Sequence, residues 1–225
     1  MNIAIILSGC GNRDGSELQE TLSLFLAIDR RGWHYQCFSP EGQYTVVSHL
    51  DGSESGEERD LLVESARIAR GDIKPLSQFK ADDFDALALP GGMGAARNLS
   101  TYAFDGEAMT VRPDVAEAIL STYKLHKPVL AMCIAPMVLA KVLGCYGVAL
   151  TLGGNNSAAQ AAARLGAKVQ HCGVTEVCAD REHRVYTTPA YMVGTRISEI
   201  FSGAENMVAN LEKDCRLPSC PSSVV

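Results

Sequence analysis

Short apolar, β-rich runs alternate with longer segments of helical periodicity along this 225-residue chain, and no other feature constrains the fold as strongly. The alternation predicts a mostly parallel sheet in a three-layer α/β sandwich of the flavodoxin-like kind. The opening run, NIAIIL, reads as the first strand. A polar, glycine-containing turn leads to a helix over 17–31, in which Leu22, Phe25, Leu26 and Asp29 show helical spacing with one polar break. Further strands are expected at 34–38, 84–89, 129–132, 148–152, 174–178 and 184–187. Helices are expected at 59–70, 113–126, 134–143, 157–165 and 192–201. The glycine-rich, charged stretch 51–58 (DGSESGEE) reads as a solvated loop. The chain is read as one domain over 1–212, with a flexible tail over 213–225 that carries two incidental thiols.

Composition narrows the function classes. A hydrophobic fraction of 47% with 20% charged residues suits a packed globule, and a net charge of -6 leaves no basic face to attract nucleic acid or an anionic membrane. No stretch approaches the roughly 20 apolar residues that a bilayer crossing requires. The opening run is too short for a signal peptide and lacks the basic segment of one, so a cytoplasmic location is expected. Eight cysteines without a Cys-x-x-Cys pair argue against both a disulfide framework and a zinc ribbon. No metal-ligand spacing or nucleotide-binding fingerprint is present, so no cofactor is expected.

Two segments carry chemistry. In 127–136 (KPVLAMCIAP) a strand runs into Cys133 and on into a helix. A thiol on such an elbow is exposed near backbone amides and the positive end of a helix, which favours the thiolate, although free cysteine is also one of the most buried residue types. In 89–95 (LPGGMGA) the glycines Gly91 and Gly92 follow another strand end and free backbone amides for a ligand. In a parallel sheet both strand ends fall on one edge, where ligands bind. An oxyanion formed by attack of Cys133 on a carbonyl would meet the Gly92 and Ile134 amides.

Together, LPGGMGAARNLS at 89–100 and MCIAP at 132–136 resemble the class I glutamine amidotransferase-like superfamily, which includes the PfpI-type proteases. Adding ILSGCGNRDGSE at 6–17, ESARIARG at 64–71 and TTPAYM at 187–192, the chain looks like the ElbB family of isoprenoid biosynthesis glyoxalases over 1–211. That resemblance implies Cys133 as nucleophile, Gly92 and Ile134 as oxyanion amides, and Glu17 as the acid near the first helix. It also implies a homodimer. On its own spacing, Glu17 reads instead as an ordinary acidic residue in a first helical turn.

The chain departs from the superfamily pattern where a base would stand. Ile134, not histidine, follows Cys133, and the His-x-Glu segment that completes a glutamine amidotransferase triad is absent. His34 and His126 precede strands and belong to the opposite sheet edge, and His183 reads as part of a hairpin turn. His49 and His171 reach the site only if a loop folds over it. Cys10 follows the first strand as either a resolving thiol or a small residue in a tight turn. Arg97 either attracts an anionic substrate or pairs with a surface acid. The reading favoured by the resemblance is a glyoxalase without glutathione or metal, acting on glyoxal or a small α-oxoaldehyde. A redox-sensing or binding protein that uses Cys133 is the second reading, and a glutamine-hydrolysing subunit the third.

Overall fold

The computed structural model describes residues 1–216. In chain order the elements are β1 (Asn2–Ile6), α1 (Leu18–Asp29), β2 (His34–Ser39), β3 (Gln43–Val47), β4 (Glu54–Asp60), α2 (Leu61–Ile68), β5 (Ile73–Pro75) and β6 (Ala86–Leu89). Then follow α3 (Met93–Arg97), α4 (Tyr102–Asp105), α5 (Pro113–Lys124), β7 (Val129–Met132), α6 (Pro136–Leu143) and β8 (Ala149–Leu150). The chain continues with α7 (Ser157–Arg164), β9 (Lys168–Val169), β10 (Cys178–Asp180), β11 (Val185–Thr188) and α8 (Ile197–Arg216).

Seven strands form the central sheet in the order β10-β11-β7-β6-β1-β2-β5, parallel except for β10 at one edge. The short runs form strands because β6 (ALAL) and β7 (VLAM) are apolar at every position and are buried on both faces. The chain moves one way from β1 to β2 and the other way from β6 to β7. Right-handed crossovers in opposite directions put their helices on opposite faces. Accordingly α1 packs with α8 on one face, while α5 and α6 cover the other. The sequence direction reverses between β1 and β6, which opens a crevice beyond their carboxyl ends. The helices start where their caps allow: Asp60 caps α2 by accepting from the Val63 amide at 2.8 Å, Asn156 caps α7 through the Ala159 amide at 2.9 Å, and prolines occupy the first turns of α5 and α6.

Three expectations are corrected. Residues 51–58 are not a loop throughout, because β4 pairs antiparallel with β3 from Gln43 opposite Asp60 to Val47 opposite Glu54. The β4 charges stay solvated within that hairpin, with Glu57 against Arg59 and Glu54 against Arg97. On α1 the core face is Leu24, Phe25 and Ile28, while Leu18, Leu22 and Leu26 remain 41–53% exposed as a separate apolar stripe. Finally, α8 begins later than expected and runs on through Arg216, so the first four residues of the expected tail are helical. The remainder, 217–225, lies outside the described residues.

Candidate active site

The turn after β7 is built by backbone. The Cys133 amide donates to Thr188 O at 3.0 Å, at the end of neighbouring β11, and Cys133 takes φ +58°, a left-handed conformation unusual outside glycine. A three-residue turn, 133–135, separates the strand from α6, where direct continuation was expected. The side chain of Cys133 is 9% exposed and opens into a cleft of about 610 Å³.

Against the sulfur lies a carboxyl group, and it belongs to Glu20. Glu20 is fully buried on the inner face of α1 and shares a hydrogen bond with the Cys133 thiol. Its Oε1 accepts the Tyr191 amide at 3.3 Å, whereas Oε2 is otherwise unpartnered. A buried carboxylate oxygen without a donor is costly, and a proton removes that cost. Burial, opposed by the hydrogen bond with Cys133 and reinforced by the nearby Glu17 charge, pushes the Glu20 carboxyl up to about 8. It is therefore a neutral acid at pH 7, able to donate to sulfur. The Cys133 thiol is itself driven well above its ordinary value by burial first, then by the Glu20 charge and their shared hydrogen bond. The Gly92 and Ile134 amides, both directed at the sulfur, draw it back down. A proton held between Glu20 and Cys133 satisfies both groups.

Glycine at position 91 makes this contact possible. A β-carbon built there would lie 2.4 Å from Cys133 Cβ and 2.4 Å from Glu20 Oε2, so any side chain would wedge the sulfur from the acid. Gly92 needs glycine for a different reason, because it takes φ +98° and a β-carbon there would meet Gly15 O at 2.3 Å. The same close approach lets the Glu17 amide donate to Gly91 O at 2.9 Å, which fastens the start of α1 to the β6 turn.

Glu17, the acid expected from the sequence, stands one helical turn from Glu20. It caps α1 by accepting from the Glu20 amide at 2.6 Å and lines the cleft half-buried; burial raises its carboxyl, and amide bonds oppose that rise. The carboxyl expected beside the sulfur is thus supplied by Glu20 and not by Glu17. Glu20 had a signal in the sequence: with Leu24, Ala27 and Ile28 it occupies the buried stripe of α1, and an unpaired acid on a core face marks a special environment.

The other candidates lie elsewhere. Cys10 is partly buried among Arg67, Glu64 and Asp14 and does not line the Cys133 cleft. Arg97 points into a neighbouring pocket, pairs with Glu54 at 2.5 Å and sits over the Phe104 ring at 5.1 Å. Among the described residues no histidine lines the cleft. His49 is bound to the Val47 carbonyl at 3.0 Å, and His183 to Asp180 at 2.9 Å.

No family model matches the chain. It is 40% identical over 219 residues to the human glutamine amidotransferase-like class 1 domain-containing protein 3, a protein named as mitochondrial, covering 92% of this chain and 80% of the relative. The crystal structure of an isoprenoid biosynthesis protein with an amidotransferase-like domain from Ehrlichia chaffeensis superposes with a TM-score of 0.88 at 32% identity, covering 95% of this chain and 99% of that one. A ThiJ/PfpI domain protein from Brachyspira murdochii shares the fold at a TM-score of 0.59 and 14% identity, covering 94% of this chain and 96% of the other. With its parallel sheet, its cysteine at the β7 turn and relatives of this similarity over nearly the whole chain, the protein belongs to the glutamine amidotransferase-like class 1 family and has the ThiJ/PfpI fold.

Proposed function

We propose that the chain is a cofactor-independent glyoxalase that converts glyoxal, or a small α-oxoaldehyde, to the 2-hydroxy acid through Cys133. The observation that carries this reading is the fully buried Glu20 carboxyl set beside Cys133 across the Gly91 notch, with the Gly92 and Ile134 amides next to the sulfur. As the sulfur adds to the aldehyde carbon the thiol proton is released to water, and Glu20 gives its own proton to the aldehyde oxygen held by the Gly92 and Ile134 amides, which leaves a hemithioacetal and a Glu20 carboxylate. That carboxylate then carries one proton from the former aldehyde carbon to the neighbouring carbonyl carbon, so that the first is oxidised and the second reduced within one molecule. The result is a hydroxyacyl thioester, which water cleaves to the hydroxy acid with return of the thiol. Glyoxal and one water thus become glycolate and a proton, with no external oxidant or reductant. Glu17, which also lines the cleft, is a second carboxyl within the site.

Glutamine hydrolysis is disfavoured because among the described residues no histidine lines the cleft to serve as base. The same feature supports the second reading, a redox sensor in which Cys133 is oxidised to a sulfenic acid. A homodimer is proposed from the exposed Leu18, Leu22 and Leu26 stripe on α1. Among the described residues no helix is long and apolar enough to cross a membrane. A cytoplasmic location is proposed, with fractionation as the test against the mitochondrial placement in the human relative's name. A link to isoprenoid metabolism rests on the Ehrlichia protein's name alone.

The decisive experiment is acid formation from glyoxal by purified, glutathione-free and metal-free protein beside Cys133→Ala and Glu20→Gln. Turnover lost in both variants supports the glyoxalase. Background turnover in all three, with Cys133 readily oxidised by peroxide, replaces it with the redox reading.

A further inference from the structure

The cleft over Cys133 is far larger than glyoxal requires. At about 610 Å³ it falls within the range of sites that enclose drug-sized ligands. Its lining is mixed. Met93, Ile134, Ala158 and Met192 contribute apolar surface among polar neighbours, and Glu17 contributes a half-buried carboxyl that accepts from the Glu20 amide at 2.6 Å. Among the described residues no lysine, arginine or histidine lines the cleft to offset that charge. Arg97 is turned into the next pocket and committed to Glu54. The amino ends of α1 and α7 are occupied by the Glu17 and Asn156 side chains, while α3 and α6 start without a side-chain cap beside the Gly92 and Ile134 amides assigned to the reacting carbonyl oxygen.

We infer that the Cys133 site is selective for uncharged or cationic carbonyl compounds bearing an apolar substituent, and that Glu17 is the specificity-determining residue that rejects carboxylate- and phosphate-bearing ones. This deepens the glyoxalase reading by naming its substrate class, and it rests on that reading only for the identity of the reaction. An anionic substituent entering the cleft must desolvate beside an uncompensated carboxylate. An aryl or alkyl substituent instead covers the methionine wall.

The test reads access of charge to Cys133 without requiring turnover. Methanethiosulfonate reagents with neutral methyl, benzyl, anionic sulfonatoethyl and cationic ammonioethyl groups are reacted with the full-length protein, and modification of Cys133 is followed by mass spectrometry. Rates are normalised to those of free cysteine. The sulfonate is expected to react about tenfold more slowly than the methyl reagent, the factor for two unit charges several ångströms apart in a partly screened medium. The ammonium reagent should react at least as fast as methyl, and benzyl no more slowly. Glu17→Gln should bring sulfonate within about twofold of methyl, while Glu17→Asp, which keeps both the charge and the cap, should retain the order. Equal rates for sulfonate and methyl in the wild type, or no labelling of Cys133 by any reagent, overturn the inference. An unchanged ratio in Glu17→Gln overturns the role of Glu17, and slow benzyl labelling overturns the apolar wall. A protein inert to glyoxal that keeps the ranking refutes the glyoxalase and leaves this selectivity standing.

Discussion

Replacing Gly91 with alanine tests the centre of the site, because the added methyl must occupy the notch between sulfur and acid. It would start 2.4 Å from Cys133 Cβ, 2.4 Å from Glu20 Oε2 and 3.0 Å from Met132 O. Carbon contacts settle at about 3.5–4.0 Å, so Cys133 and Glu20 must each retreat by about 1 Å. Cys133 is held by its bond to Thr188 O, and Glu20 by the Tyr191 amide, so neither retreats freely. Overpacking of this kind costs about 1–3 kcal/mol, which lowers Tm by about 2–12 °C in a domain of this size. A misplacement of about 1 Å at reacting groups costs about 100-fold in rate. Thermal unfolding and glyoxal turnover at saturating substrate, measured on the same preparation, separate the two effects. A lowered Tm with wild-type kcat would refute the requirement for sulfur–carboxyl contact, and an unchanged Tm with unchanged kcat would refute the packing described for the notch.

Glu20 also sets a pH signature. Its carboxyl releases its proton near 4.5 in the unfolded chain but near 8 in the folded one, so between these values the folded state holds one more proton and stability falls as pH rises, by at most about 5 kcal/mol in total. Urea unfolding at pH 5, 6.5 and 8 should show that decline in the wild type and lose it in Glu20→Gln; parallel curves would remove Glu20 as its source. Leu22→Glu should convert a dimer to monomer in light scattering at micromolar concentration, and a monomeric wild type would end the dimer proposal. Arg97→Ala should leave kcat and KM within about twofold of wild type, since its side chain serves Glu54 and Phe104 in another pocket. A rise in KM of tenfold or more would return Arg97 to the site.

Much of this architecture is legible in the sequence. Strands such as VLAM at 129–132 announce themselves by continuous burial, and the two loops that matter, after β6 and β7, follow from glycine and cysteine at strand ends. What escaped depended on long-range packing. The β4 strand is composed of charged and small residues that have no strand preference of their own; its pairing with the QYTVV segment overrides that composition. The leucines of α1 satisfy helical periodicity twice over, once for the core and once for the surface, and spacing alone does not distinguish the two faces. The shift from Glu17 to Glu20 has the same origin. Both are acids near the start of one helix, and only the docking of α1 against the β6 and β7 turns decides which reaches the sulfur.

The order of the strands has a consequence for synthesis. The site takes Glu20 from the first crossover, Gly91 and Gly92 from the middle of the chain, and Cys133 after them. The carbonyl of Thr188 and the amide of Tyr191 come later still. Until β11 has been made and docked beside β7, the cysteine turn lacks its anchor and Glu20 lacks its donor. Nascent chains that stop short of β11 therefore lack the assembled pocket, and Cys133 and Glu20 come to share one site only when nearly all of the sheet is in place.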